Sequence, residues 1–328
     1  MGLKAYLIKK IIYLLILVYF VITLNFVIFM LMPGDPTAVF AQAARLNSAE
    51  ALEQVRARFG LNESMAVRYF KYVGNMVTFY FGYSYYTGKL VSGELVSRLT
   101  NTLMLVGLST LFSILLGTIL GVIAAAKRGK WFDSVSVTLS LVTFSLPSFW
   151  IGMLLLLIFY TWLGWFPNAG TVPPEWSFNP PANILVEIQG RVMHLFLPVL
   201  TLTLFQYGGY LLLTRATMLD ALTEDYIVTA RAKGAKERTI LFKHALRNAS
   251  LPLITNIAIS FGFMLSGAII TEQVFTIPGL GLWLWNAIAF VDYPVLMAMF
   301  YIIALCVIAA NFISDLLYGV VDPRIRYG

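Results

Sequence analysis

The chain has 328 residues and a formal charge of +7, yet only 12% of its residues are charged while 59% are hydrophobic, where a soluble domain carries about a quarter charged residues. That balance excludes a soluble globular enzyme, and an aromatic content of 15% excludes a disordered chain, which has too little to bury. The remaining class is an all-α polytopic membrane protein, in which a positive balance reports where the loops lie and not a nucleic-acid partner.

A spanning helix needs about 20 apolar residues, because about 30 Å of hydrocarbon is crossed at about 1.5 Å per residue. Residues 1–10, with Lys4, Lys9 and Lys10, are expected as a cytoplasmic N-terminal segment leading into a first span, Ile11–Met32. That run is longer than a signal-peptide core of about 7–15 residues, and Pro33-Gly34-Asp35-Pro36 after it is a turn, not a cleavage site, so the span is read as retained. Residues 33–101 are expected as an extracytoplasmic loop. Within it Asn47-Ser48-Ala49-Glu50 reads as a capping box, Leu52, Val55 and Phe59 share one face, and Gly60 stops a short amphipathic helix. Such a helix either lies on the membrane or covers the spans.

Residues 102–320 are expected as a five-helix core, giving six transmembrane helices in all. Its spans are Thr102–Ala126, Ser134–Phe166, Leu195–Thr214, Ala249–Thr271 and Val295–Ser314, and no span contains Lys, Arg, Asp or Glu. Gly117 and Gly121 form a small-xxx-small pair, read as close helix packing. Ser134–Phe166 is too long for one straight span, and Pro147 is expected to kink it. Basic residues gather between the second and third spans (Lys127, Arg128, Lys130) and between the fourth and fifth (Arg215, Arg231, Lys233, Lys236, Arg238, Lys243, Arg247). The opposite loops hold Glu175, Glu187, Arg191, Glu272 and Asp292. By the positive-inside rule both termini are cytoplasmic, the tail 321–328 included; the long loop 33–101 does not vote.

The spans hold no ionisable group for proton or ion coupling, since Asp315 and His194 fall at their edges. Gly88-Lys89-Leu90 and Gly129-Lys130-Trp131 lack the Ser/Thr and the upstream glycine of a phosphate-binding loop. No Ser/His/Asp set or carboxylate pair stands in a catalytic context. Cys306 alone permits no internal disulfide, and one cysteine with two histidines is too few for a structural zinc. The chain is therefore expected to be no enzyme and to bind neither nucleotide nor metal. Asn25, Ser145, Gln206, Asn256 and Ser260 are the polar span residues that are candidates for lining a path, although such residues usually bond between helices. Trp150, Trp162, Trp165 and Trp176 read as interfacial belt or packing.

The loop between the fourth and fifth spans carries the most information. Thr223 is placed as N-cap of a helix over Glu224–Lys233, acids stand in its first turn, Arg231 and Lys233 in its last, and Gly234 where a left-handed cap belongs. A second helix is expected from Lys236 to Asn248, before Leu251-Pro252 returns to the membrane. The run Asp225–Gly234, with Thr229-Ala230-Arg231-Ala232-Lys233-Gly234, His244–Asn248 and Leu251-Pro252, resembles the cytoplasmic EAA loop of ABC importer permeases. It departs from the general pattern in having Val228-Thr229-Ala230 for Glu-Ala-Ala and a longer gap to Pro252, and in both respects is similar to the peptide-importer branch. Pro33–Pro36, Phe81-Gly82 with Ser84, Asn101-Thr102-Leu103, Ser145–Trp150, Phe275, Pro278–Gly281, Asp292–Pro294 and Asp322–Arg326 extend the resemblance to the B-type permease of oligopeptide and dipeptide importers.

The resemblance implies a type I ABC importer permease fold and a non-enzymatic subunit that pairs with a second, homologous permease. Two ATPase subunits, which bind ATP and Mg, and an extracytoplasmic solute-binding protein complete the complex in a prokaryotic inner membrane. Thr229, Ala230, Arg231, Ala232, Lys233, Gly234, Arg238, Arg247 and Pro252 then belong to the ATPase-coupling loop 215–248. The alternatives for its basic residues are surface charge and lipid-headgroup binding. Thr276, Pro278, Gly279, Gly281 and Asp292 would form an outer gate or binding-protein dock, the alternative being a rigid turn. Peptide is the expected cargo, with oligosaccharides and nickel chelates as alternatives. An ion-coupled carrier or channel is the reading from another class, and it requires ionisable span residues that are missing.

Overall fold

The computed structural model describes residues 3–31, 50, 53–54, 57, 62–263 and 268–321. Among the described residues the chain is helical, and its extended pairing is confined to an isolated bridge between Tyr83 and Leu90. The helix expected over Asn47–Gly60 lies outside the described residues apart from Glu50, Glu53, Gln54 and Ala57.

Helix α1 (Leu3–Leu31) covers the first expected span as far as Leu31, Met32 lying outside the described residues, and absorbs the lysine-bearing start of the chain. Helix α2 (Met65–Val77) is amphipathic and was not anticipated, although Tyr69, Tyr72, Val73 and Met76 recur at helical spacing. It leans on α1: Tyr69 and Thr23 share a hydroxyl hydrogen bond of 2.8 Å, and the Asn25 amide donates to the Tyr72 hydroxyl at 2.8 Å. Helix α3 (Val91–Ala126) starts well before the expected Thr102. Its first turns carry Glu94 and Arg98, an i,i+4 pair 3.6 Å apart, and a helix that extends beyond the bilayer is invisible to an apolar-run criterion.

The third expected span is corrected into two helices. Pro147 bars the α-conformation at Leu146, which sits at φ −82°, ψ 139°. Helix α4 (Trp131–Ser145) ends there, and α5 (Ser148–Leu155), prolonged by a π-helical stretch Leu156–Trp162, leaves at 101° to it. Helix α6 (Ile184–Ala221) is capped by the Asn183 side chain, which accepts from the Val186 amide at 3.0 Å. Its 38 residues span about 57 Å at 1.5 Å each, well beyond the hydrocarbon thickness.

Helix α7 (Asp225–Ala232) is followed by a single turn, Glu237–Thr239, a π-helical stretch Ile240–Ala245 and α8 (Leu246–Phe263) without a break. The expected stop at Asn248 does not occur, and α8 runs through Pro252. Helices α9 (Ile269–Val274), α10 (Leu280–Ala289) and α11 (Tyr293–Val321) complete the chain. Among the described residues α1, α3 and α6 are long and apolar enough to cross a membrane, and the bent pair α4–α5 makes a fourth candidate. The fifth expected span, Ala249–Thr271, covers most of α8 and the start of the separate helix α9, with 264–267 outside the described residues, and the sixth, Val295–Ser314, lies within α11.

Helices α3 and α6 make the closest approach. A Cβ on Gly117 would stand 2.6 Å from the Tyr207 carbonyl oxygen and from Tyr210 Cβ, and one on Gly121 would stand 2.7 Å from the Leu211 carbonyl oxygen. The expected small-residue packing is therefore found, with α6 as its partner. On the α4 side of α6, a Cβ on Gly208 would meet the Ser140 carbonyl oxygen at 2.7 Å. The exterior is apolar: Leu15, Ile16 and Phe20 of α1 and Leu139, Leu141 and Phe144 of α4 are all exposed, as a surface facing lipid or a partner helix requires.

Candidate functional site

Three regions are candidates for a functional site: the 225–248 loop, a cavity between helices, and the turn joining α9 to α10. The loop is held from beneath by a core of its own. Ile227 of α7 and Ile240 are fully buried with Val122 and Ala125 of α3, Met218 and Ala221 of α6, and Ala245 and Ala249. Its end is a Schellman cap. The Gly234 amide donates to the Arg231 carbonyl at 2.9 Å, the Ala235 amide to the Ala230 carbonyl at 3.2 Å, and Gly234 sits at φ +78°. The left-handed cap expected at Gly234 is present, and Ala230 and Ala235 pack against the same core.

The start of α7 is corrected. Glu224 occupies the N-cap position without a side-chain bond, while the Thr223 hydroxyl donates to the Asp220 carbonyl at 2.7 Å. Thr229, Arg231, Ala232, Lys233, Gly234, Arg238, Arg247 and Pro252 are exposed, and Ala230 is half-buried. Arg231 reaches across the turn to Glu237 at 3.1 Å, a surface pair worth about 0–1 kcal/mol. Two apolar side chains that sequence reasoning passed over stand out of the same region: Val228 is 60% and Phe242 43% exposed. Their signal was available, since an apolar residue on the outer face of a charged loop has nothing of its own chain to cover it.

An ion pair ties this end together. The Arg215 guanidinium of α6 meets the Asp133 carboxylate of α4 bidentately, Nε at 2.6 Å and Nη2 at 2.8 Å, and the Gly129 amide donates to the same carboxylate at 3.0 Å. Asp133 is buried. A double-mutant cycle with Asp133→Ala and Arg215→Ala should give a coupling energy of about 1–3 kcal/mol in thermal unfolding of the purified protein. Additive effects of the two single changes would show that the pair contributes nothing.

The cavity, of about 730 Å³, is lined by α3 (Val106, Thr110), α5 (Ser148), α6 (Leu202, Phe205, Gln206), α8 (Ser260) and, over much of one wall, by 268–271 and by Trp285 and Ile288 of α10. Gln206 and Ser260, two of the polar span candidates, face it. Ser260 accepts from the Tyr210 hydroxyl at 2.8 Å and donates to the Asn256 carbonyl at 2.9 Å, which places Asn256 one turn behind it. Ser145 is exposed at the end of α4, its hydroxyl donating to the Val142 carbonyl at 2.8 Å. Asn25 is buried elsewhere, between the Tyr72 hydroxyl and the Met297 carbonyl, both accepting its amide.

The turn after α9 is anchored, not loose. Phe275 and Ile277 are buried, the Asn101 amide donates to the Pro278 carbonyl at 3.0 Å, and the Gly170 amide donates to the Phe275 carbonyl at 3.0 Å. Thr276 and Pro278 face outward, and the left-handed backbone falls on Thr276 (φ +50°), not on a glycine. Gly279 and Gly281 serve close approach instead: a Cβ on Gly279 would lie 2.5 Å from the Glu272 carboxylate, and one on Gly281 2.7 Å from Ile269 Cα. Glu272, with 0% exposure, is the residue that sequence reasoning left out of the site. Asp292 is likewise buried and accepts from the Ser84 hydroxyl and from the Tyr85 and Tyr86 amides at 2.9 and 3.4 Å. Burial pushes its carboxyl above the usual range, against the pull of those donors. Among the described residues no cluster of three or more His, Cys, Asp or Glu is arranged to hold a metal ion.

Comparison with known proteins supplies the context for these features. Residues 117–327 match the family of binding-protein-dependent transport system inner membrane components, and residues 3–106 match the N-terminal model of the same transport systems. The oligopeptide transport system permease protein AppB of Bacillus subtilis is 38% identical, over 98% of this chain and 99% of the relative. The di/tripeptide transport system permease protein DppB of Pseudomonas aeruginosa is 39% identical over 96% of each chain. The glutathione transport system permease protein GsiC of Escherichia coli is 35% identical over 98% of this chain and 99% of the relative. A solved structure of the MetNI methionine ABC transporter in an inward-facing conformation superposes with a TM-score of 0.52 at 18% identity, covering 70% of this chain and 96% of that one. It shares the type I ABC importer permease fold expected above. Relatives of matching length and family models covering both halves lead to one assignment: the chain belongs to the inner membrane components of binding-protein-dependent transport systems, as a multi-pass, non-catalytic permease subunit.

Proposed function

We propose that the chain forms half of the translocation path of an ATP-driven peptide importer, and that its 225–248 loop receives the stroke of the ATPase subunits. The observation that carries this reading is the loop itself: a capped helix fixed on a private apolar core, with Val228, Phe242 and basic side chains left exposed above it. A loop anchored in this way transmits displacement as a rigid push, because packed elements shift as units instead of deforming. Thr229, Arg231, Lys233, Gly234, Arg238 and Arg247 lie in the proposed contact, with Ala230 and Ala232 packing or spacing it and Pro252 in the helix that leads away. In this scheme both termini are cytoplasmic, ATP and Mg are bound by two partner ATPases, and a second permease subunit completes the path across a pseudo-twofold axis. A solute-binding protein presents cargo at the Thr276–Asp292 face.

Peptide is the proposed cargo because the relatives are named for oligopeptide, di/tripeptide and glutathione transport. The cavity agrees in chemistry. Thr110, Ser148, Gln206 and Ser260 offer neutral hydrogen-bonding groups among apolar side chains, and among the described residues no charged side chain lines it. Such a wall suits amide groups and varied side chains, and leaves selection to the binding protein. The test is a cysteine at Ala232, cross-linked in the assembled complex. Capture of an ATPase subunit, altered by ATP, is expected; absence of any ATPase adduct across all nucleotide states contradicts the proposed contact.

A further inference from the structure

We infer that Glu272 is a positioning residue that rivets one wall of the transport cavity to α3, so that α9, the 275–281 turn and α10 move with the start of that helix as one body. The inference rests on the permease reading and goes beyond it by fixing where the path does not hinge.

The geometry is that of a hub. The Glu272 carboxylate accepts from the Thr102 hydroxyl of α3 at 2.7 Å on one oxygen, and on the other from the Leu282 amide at 2.9 Å. The Thr102 hydroxyl oxygen in turn accepts from the Leu280 amide at 2.8 Å. One carboxylate thus closes α9 onto the first turn of α10 and both onto α3, satisfying amides that an α-helix start leaves without partners. Donors from two different helices thus converge on the two oxygens of one side chain. Arg98, one turn before Thr102, pairs with Glu94 and lies over the Trp283 ring of α10, 4.9 Å from its centroid, a second tie between α3 and α10. The Asn101 amide adds its bond to the Pro278 carbonyl.

This hub stands directly behind the cavity. Residues 268–271 and Trp285 and Ile288, which form the cavity wall, belong to the two elements that Glu272 joins. Glu272 is fully buried, so parting α3 from α10 would strip its carboxyl group of hydrogen-bond partners inside the protein, which costs more than moving an apolar seam. The cavity therefore opens along another boundary, and the 101° break between α4 and α5 borders it at Ser148.

The experiment uses the whole reconstituted transporter in a Cys306→Ala background, with cysteines at Asn101 and Pro278 joined by a disulfide or a short thiol cross-linker. Measured against the same double-cysteine protein kept reduced, ATP-driven uptake of a labelled peptide is expected to stay within about twofold when the cross-link forms, since the joined elements already move together. Uptake abolished by the cross-link and restored by its removal overturns the inference, because the seam then opens in the cycle. In the second arm, Glu272→Ala or the near-isosteric Thr102→Val should lower uptake about tenfold, within the range of an inter-site coupling energy, and the cross-link should restore it. A purely local folding role, or a direct contact with cargo, predicts no such rescue, and failure to rescue either variant contradicts the inference. Should the unmodified complex show no ATP-driven uptake, the permease reading fails instead. The rivet is then read from hydrogen exchange at the Leu280 and Leu282 amides, whose protection should fall in Glu272→Ala and return on cross-linking; unchanged protection overturns it.

Discussion

Replacing Gly121 with leucine is expected to abolish assembly of the protein. The side chain would have to enter where the Leu211 carbonyl oxygen and Thr214 Cβ each lie 2.7 Å from the first added carbon. A neighbouring flexible side chain can yield; a backbone carbonyl in the middle of α6 cannot. The only relief is to separate α3 from α6, which also breaks the contact at Gly117 four residues earlier and spreads the Val122–Met218–Ile227 core under the 225–248 loop. The cost is at least about 3 kcal/mol, the upper end for overpacking, and in a membrane no hydrophobic gain restores close helix contact once it is lost. Size-exclusion profiles and thermal unfolding in detergent measure it: loss of the folded species is expected for Gly121→Leu. Gly209→Ala on α6, with nothing within 4 Å of the added carbon, should leave stability unchanged or raise it by about 0.5–1 kcal/mol. Equal behaviour of the two variants contradicts the packing account.

Gly234→Pro is expected to leave assembly intact and to uncouple ATP hydrolysis from transport. Nothing lies within 4 Å of a Cβ added at Gly234, so bulk is not the difficulty. Backbone conformation is: φ is +78° there, a value that costs an L-residue about 1–2 kcal/mol and that proline cannot reach at all. Proline also deletes the amide that donates to Arg231, so both halves of the Schellman cap fail and the angle between α7 and the Glu237–Thr239 turn is lost. Uptake should fall about tenfold or more while ATPase activity persists. Valine should act in the same direction, whereas asparagine, which tolerates the left-handed region, should retain most coupling. Full transport by the proline variant would sink the argument.

The sequence disclosed architecture wherever a feature is local. Apolar runs without ionisable residues pointed to long apolar helices, Gly234 to its left-handed cap, and the Gly117–Gly121 spacing to its helix contact, because each depends on residues within a turn or two. Boundaries failed where helices leave the bilayer: the starts of α3 at Val91 and of α6 at Ile184 carry charges that an apolar criterion rejects although a helix accepts them outside lipid. Pro147 was legible as a disturbance, but not as a bend of 101°, since that angle is fixed by packing against α6. The loop's second helix was expected to stop at Asn248, before Pro252, yet α8 runs on through both.

The outer turn shows the limit most clearly. Pro278, Gly279 and Gly281 were read as part of a gate or dock or as a rigid turn; neither glycine has a positive φ, and both are small because Glu272 and Ile269 press against them. That reason lies in residues seven to twelve positions back along the chain and, through Thr102, on another helix entirely. Ser84 and Asp292, far apart in sequence, meet in the same manner. Buried carboxylates of this kind are not visible in a hydropathy pattern, because an acid at the end of a span looks like an interface anchor until its donors are located.

The central claim is that this permease moves peptide with energy received through its 225–248 loop. Its most direct measurement is uptake of labelled peptide by vesicles containing the reconstituted permease pair and ATPases, with binding protein on one side and ATP on the other. Uptake that requires both, and is lost in Gly234→Pro while ATP hydrolysis continues, is the predicted result. Uptake driven by an ion gradient without ATP, or uptake indifferent to Gly234→Pro, would contradict the account.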